Sequence, residues 1–157
     1  MWPGLTIALL TLIIDQATKW WLLALLAQHR NFIEVTPFFN LVMVWNKGVS
    51  FGLFGSSDAT GQRWFLIALA AAMVLVLLVW LYRTRGSWIA VALGLVIGGA
   101  VGNAFDRMVR GAVADFFDFH MFGWHWPAFN IADSAIVVGV AILLVDGLFG
   151  NTDRHKI

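Results

Sequence analysis

Apolar positions in this chain fall into four long runs, Leu5 to Ala27, Trp64 to Tyr82, Trp88 to Phe105 and Ile131 to Phe149. Each approaches the ~20 residues that an α-helix needs to cross ~30 Å of hydrocarbon. The second run carries no charge at all. Aromatic residues gather near the run ends, at Trp2, Trp64, Trp80, Tyr82, Trp88, Trp124 and Trp126, where amphipathic rings sit at a membrane–water boundary. The pattern predicts an all-α polytopic membrane protein in which residues 1–157 form a single domain. Its four transmembrane helices are expected at about 5–27, 64–82, 88–105 and 131–149.

The first run could be mistaken for a cleaved leader, because Leu5 to Ile14 looks like a short apolar core. No basic cluster precedes it, no A-x-A-like cleavage site follows, and the apolar pattern resumes at Trp20, so a retained span is expected. Four spans place both termini on one side of the membrane. The turn Arg83-Thr84-Arg85-Gly86-Ser87 shares that side with Arg154 and Lys156, which makes it cytoplasmic by the positive-inside rule. The opposite segments also hold Arg30, Lys47, Arg63, Arg107 and Arg110; the short, dense arginine turn decides the orientation.

Two segments then face outward, Gln28 to Arg63 and Asp106 to Asn130. In the first, FFNLVMVWNKGVSFGLF (Phe38 to Phe54) has two apolar arms around Asn46-Lys47-Gly48. It reads as a hairpin, part of a small extracytoplasmic sheet lying on the bilayer surface or over a cleft. Gly94, Gly98 and Gly102 recur every fourth residue in the third run, a stripe suited to close helix packing within the bundle or, second, between copies.

Composition narrows the function classes. The chain is 61% hydrophobic and 12% charged, with a mean hydropathy of +0.82, far from an ordinary soluble domain. It has no cysteine, which removes thiol catalysis, disulfides and cysteine metal sites. A net charge of +1 gives no reason to invoke nucleic acid.

Charge within a span calls for a specific explanation. Asp15 and Lys19 in DQATKWW stand at i and i+4 with the acid first, the favourable order for an ion pair that fixes helix packing. NAFDR ends the third run with Asn103, Asp106 and Arg107, and AVADFFDFH sets Asp115 and Asp118 among aromatic residues. Asn130 can cap the fourth helix, with Asp133 in its first turn where the helix dipole favours an anion. At a membrane boundary a lone carboxylate is poorly solvated, so a second group is expected beside Asp133.

Two carboxylates close together in a partly dry site share one proton, so that one can activate water while the other polarises a carbonyl. Asp133 is one member; Asp115, Asp118 or Asp106 could be the other, and spacing alone leaves them open. Gly48 to Gly52 matches G-x-S-x-G but lacks the strand-turn-helix setting that gives Ser50 a nucleophile's role. A metal site drawn from Asp118, His120 and His125 has no H-E-x-x-H spacing behind it. A membrane ion or proton pathway using Asp15, Lys19 and Asp133 is the non-enzymatic alternative. It predicts acids spread through the bilayer, whereas four of the nine lie between Asp106 and Asp133.

Five blocks in order, DQATKWW, NKGVSFG, GGAVGNAFDR, VADFFDF and FNIADS, resemble the bacterial lipoprotein signal peptidases, or signal peptidase II, over nearly the whole chain. The resemblance implies an inner-membrane aspartyl peptidase that cuts prolipoproteins just before a diacylglyceryl-modified cysteine, with the dyad at Asp115 and Asp133. It further implies that Asn46, Asn103, Arg107 and Asn130 line the site and that Asp15 and Lys19 are architectural. No cofactor or metal is expected. The expected partners are lipid-modified prolipoproteins and membrane lipids, with the chain acting as a monomer. Ser50 stands where many family members have alanine, which touches nothing but a serine role.

Overall fold

The computed structural model describes residues 1–48 and 59–149. The elements run α1 (Trp2–Ala27), β1 (Phe32–Thr36), β2 (Phe39–Asn46), α2 (Ala59–Arg83), α3 (Ser87–Arg110), β3 (Val113–Met121), β4 (Trp124–His125) and α4 (Ile131–Phe149). Among the described residues, four helices are long and apolar enough to cross a membrane. Their outward side chains are largely apolar, as at Leu69, Met73, Val76, Val138 and Leu144, which suits contact with lipid tails.

Helix α3 is the hub, packing against α1, α4 and α2. Its glycine stripe explains how. A Cβ at Gly94 would lie 2.4 Å from the Gly4 carbonyl oxygen, and one at Gly98 2.5 Å from that of Ala8. The stripe therefore serves packing inside the bundle, the first of its two expected uses. Gly99 meets α4 in the same way, with the Ala132 carbonyl 2.5 Å from a built Cβ. Because the obstacle at Gly98 is backbone, no rotamer change relieves it. Gly98→Ala is expected to destabilise the bundle by about 1–3 kcal/mol, read as a lowered melting temperature in detergent.

Strand β2 forms where the first hairpin arm was placed. β2 pairs with β1 through a turn at Pro37 and Phe38 (Ile33 opposite Leu41), and on its other edge with β3 (Asn40 opposite Asp118, Val44 opposite Asp115, Asn46 opposite Val113). Among the described residues the sheet has four strands in the order β1-β2-β3-β4, all antiparallel. Proline presets the backbone angle of the turn from β1 into β2. The β3 partner is about seventy residues away in sequence, beyond the reach of a local pattern. The other expected arm, Val49 to Phe54, and with it Ser50, lies outside the described residues.

Two features attach the sheet to the bundle. Leu22 and Leu26 of α1 bury against Phe116 of β3. Helix α3 ends on Gly111 in the left-handed region (φ 82°), whose N–H returns to the Arg107 carbonyl, so that the chain turns at once into β3. Asp115 is thereby carried to the mouth of the bundle.

Candidate active site

Strand parity separates the acids of β3. Alternate residues face opposite sides of a sheet, so Asp115 and Asp118, three apart, cannot share a face. Asp115 is 1% exposed and turns toward α3 and α4. Asp118 pairs across the strands with Asn40, whose Nδ2 donates at 2.9 Å, and with His125 Nδ1 at 2.8 Å.

Asp133 sits in the first turn of α4. Asn130 and Asp133 form a reciprocal cap: the Asp133 N–H donates to Asn130 Oδ1 at 2.9 Å, and the Asn130 N–H donates to Asp133 Oδ2 at 3.2 Å. The same Asn130 donates from Nδ2 to Asp115 Oδ1 at 2.6 Å. One fully buried asparagine thus holds both acids. Asn103 donates to Asp133 Oδ1 at 2.7 Å, and Asn46 donates to the second oxygen of Asp115 at 3.0 Å.

Burial pushes the Asp115 carboxyl up to about 6; hydrogen bonds from Asn46 and Asn130 oppose this, and the charge of Asp133 adds to it. Asp118 behaves differently. Burial alone would raise it, but hydrogen bonds from Asn40 and His125 and the two nearby imidazoles bring it below the ordinary value.

Arg107 donates to the Asn103 carbonyl at 3.4 Å and feels the charges of Asp133 and Asp115. Its Nε is buried without a partner, a donor left for something that enters the site.

Behind Asp115 and Asp133 lies a buried charge network. Lys19 Nζ donates to Asp15 at 2.9 Å, lies 2.8 Å from Asp106, and donates to Asn103 Oδ1 at 3.2 Å, which matches its three N–H groups to three acceptors. Asp106 also pairs with Arg110, so two acids meet two bases. Asp15 reaches across to α4, where its Oδ1 accepts the Ala132 N–H at 3.0 Å. Gly102 makes room for it: a Cβ there would stand 2.6 Å from the Asp15 carboxylate.

The sites expected from sequence therefore separate. Asp115, Asp133, Asn46, Asn103, Arg107 and Asn130 converge; Asp15 and Lys19 support them from behind; Asp106 belongs to Lys19, and Asp118 to the far side of the sheet. Sequence reasoning missed Gln16, which donates to both Asp15 and Asp106, and Arg110. Their signal was helical spacing: Gln16 follows Asp15 directly, and Arg110 stands four residues after Asp106. His120 stacks on His125 with ring centroids 4.9 Å apart, and among the described residues no three such side chains converge as metal ligands.

The family model for signal peptidase (SPase) II matches residues 7–149. The chain belongs to the signal peptidase II family. A lipoprotein signal peptidase of Beijerinckia indica subsp. indica is 46% identical over 140 residues, covering 88% of this chain and 83% of that protein. One of Methylobacterium sp. (strain 4-46) is 47% identical over 149 residues, covering 94% and 90%. Two solved bacterial membrane enzymes, determined by the in meso method, share the fold. The first has a TM-score of 0.78 at 28% identity, covering 98% of this chain and 92% of the other. The second has 0.77 at 30%, covering 95% and 94%. As a signal peptidase II, the protein is a multi-pass bacterial membrane peptidase that cleaves signal peptides from prolipoproteins. Nothing in these likenesses supports the ion-pathway alternative.

Proposed function

We infer that this signal peptidase II is an aspartic endopeptidase whose dyad is Asp115 and Asp133. The observation that carries the reading is Asn130, which hydrogen-bonds both carboxylates from one buried position. In the singly protonated pair, the ionised aspartate takes a proton from water as the hydroxyl adds to the scissile carbonyl carbon. The protonated aspartate donates to the carbonyl oxygen. Collapse of the tetrahedral carbon breaks the C–N bond: the proton gained from water passes to the leaving amine, and a hydroxyl of the tetrahedral carbon returns its proton to the other aspartate, restoring the singly protonated pair. The starting base is a property of the pair rather than of either residue. Arg107 and Asn46 hold the substrate backbone, and Asn103 and Asn130 orient the acids.

The substrate is a prolipoprotein whose cysteine already carries diacylglycerol, cut immediately before that cysteine. An apolar groove of about 610 Å³ supports this, since it runs from Asp133 and Ser134 along Val137 and Val138 beneath Trp126 and Phe129. Lipid chains entering sideways from the bilayer fit such a wall. With both termini cytoplasmic in the inner membrane, the dyad lies near the outer face, and the enzyme works as a monomer among membrane lipids.

The test uses purified enzyme and a precursor peptide with and without the diacylglyceryl group, read by mass spectrometry. Cleavage of the modified peptide alone, before its cysteine and undiminished by exhaustive chelation, is expected. Equal cleavage of both peptides would refute the lipid requirement. Asp118→Asn is expected to lower the rate by no more than several-fold, since Asp118 faces away from the dyad; complete loss with Asp115→Asn still active would move the dyad to Asp118.

A further inference from the structure

The helix ends opposite the dyad carry a second concave surface. A cavity of about 520 Å³ is lined by Trp80, Arg83, Thr84, Arg85, Gly86 and Ile89, at the turn from α2 into α3. Among the described residues neither arginine has a carboxylate partner. Among the described residues the acid at this end of the bundle, Asp146, lines a different groove with Trp88. The first turn of α3 adds to the positive field: it holds no acid, and no side chain caps it at Gly86.

Arg83 also borders a second groove of about 440 Å³, whose wall is apolar: Leu5 of α1 and Leu75, Leu78 and Val79 of α2. A cationic cavity at the water boundary thus continues, through one shared residue, into an apolar channel along the bundle. Exposed Tyr82 and Trp88 mark that boundary. Two arginines that served only to orient the chain would need neither concavity nor an adjoining acyl-sized groove.

We propose that this turn is a binding site for an anionic glycerophospholipid, with the headgroup phosphate held by Arg83 and Arg85 and an acyl chain laid along Leu75, Leu78 and Val79 against Leu5. Guanidinium groups present paired donors that match phosphate oxygens. The site is distinct from the dyad and requires no part of the peptidase chemistry.

The experiment is native mass spectrometry of the full chain released from detergent containing equal phosphatidylglycerol and phosphatidylcholine. Preferential retention of phosphatidylglycerol is expected. Arg83→Gln/Arg85→Gln should reduce that preference roughly thirtyfold, the equivalent of about 1 kcal/mol for each basic residue near an anionic lipid. Arg30→Gln, at the opposite end, should leave it unchanged. Both variants are first checked for the wild-type melting temperature in phosphatidylcholine alone. If the double variant fails that check, Leu78→Trp, which fills the acyl groove and spares both arginines, replaces it and should likewise lower retention. Equal retention of the two lipids by the wild type, or a preference that survives loss of both arginines, would overturn the site. Glycerol 3-phosphate in a separate arm distinguishes the source: no competition at equimolar concentration is expected, and full competition would make it a site for free phosphate compounds.

Discussion

Asp115→Asn and Asp133→Asn are each expected to lower cleavage of a diacylglyceryl-modified precursor by at least about a thousandfold, while the protein still inserts and folds. A positioned acid or base contributes roughly 10²–10⁴ in rate, and each member of a shared-proton pair serves in both roles. The two losses should not add, because either one removes the pair. In the double variant the rate should resemble that of the worse single variant. Insertion is expected to survive because both carboxylates already meet amide donors, so that asparagine keeps the shape at a modest cost. Full activity in either single variant would remove that residue from the dyad.

The largest effect on stability is expected at Lys19. Its side chain is fully buried, and its ammonium lies between Asp15 and Asp106, both also fully buried. Lys19→Met fills similar volume but leaves Asp15 without its cation and Asp106 with Arg110 alone, and breaking a buried pair costs about 3–5 kcal/mol. The loss should appear as a lower melting temperature in detergent. Adding Asp15→Asn should recover part of it, since the stranded anion is then gone. Activity has a separate reason to fall: Lys19 holds Asn103 Oδ1, which turns the amide so that its Nδ2 meets Asp133. Cleavage should therefore stay low in the double variant even where stability returns. Recovery of both together would make Lys19 purely structural.

The legible parts of this molecule were those with a short-range cause. Long apolar runs dictate spanning helices, and the cap formed by Asn130 and Asp133 follows from three-residue spacing at a helix start. The glycine stripe was legible for the same reason, since four-residue spacing on a helix defines a face. Long-range pairing was not. Lys19 already had a local partner in Asp15, so nothing in the sequence asked for Asp106, which arrives from α3. The sheet shows the same limit: β2 pairs on its site side with β3, about seventy residues further on, which no local pattern announces. Choosing Asp115 over Asp118 needed only strand parity once β3 was recognised, yet the aromatic run around them hid the period of two.

Sharing of a proton between Asp115 and Asp133 is tested most directly by carboxyl ¹³C NMR of aspartate-labelled protein in detergent, titrated from acid to neutral pH. One resonance, absent in Asp115→Asn, should titrate near 6. It falls to a lower midpoint in Asp133→Asn, because removing the neighbouring charge removes one cause of the rise while burial remains. An Asp115 midpoint near the ordinary carboxylate value, or one that Asp133→Asn leaves unmoved, would contradict the dyad.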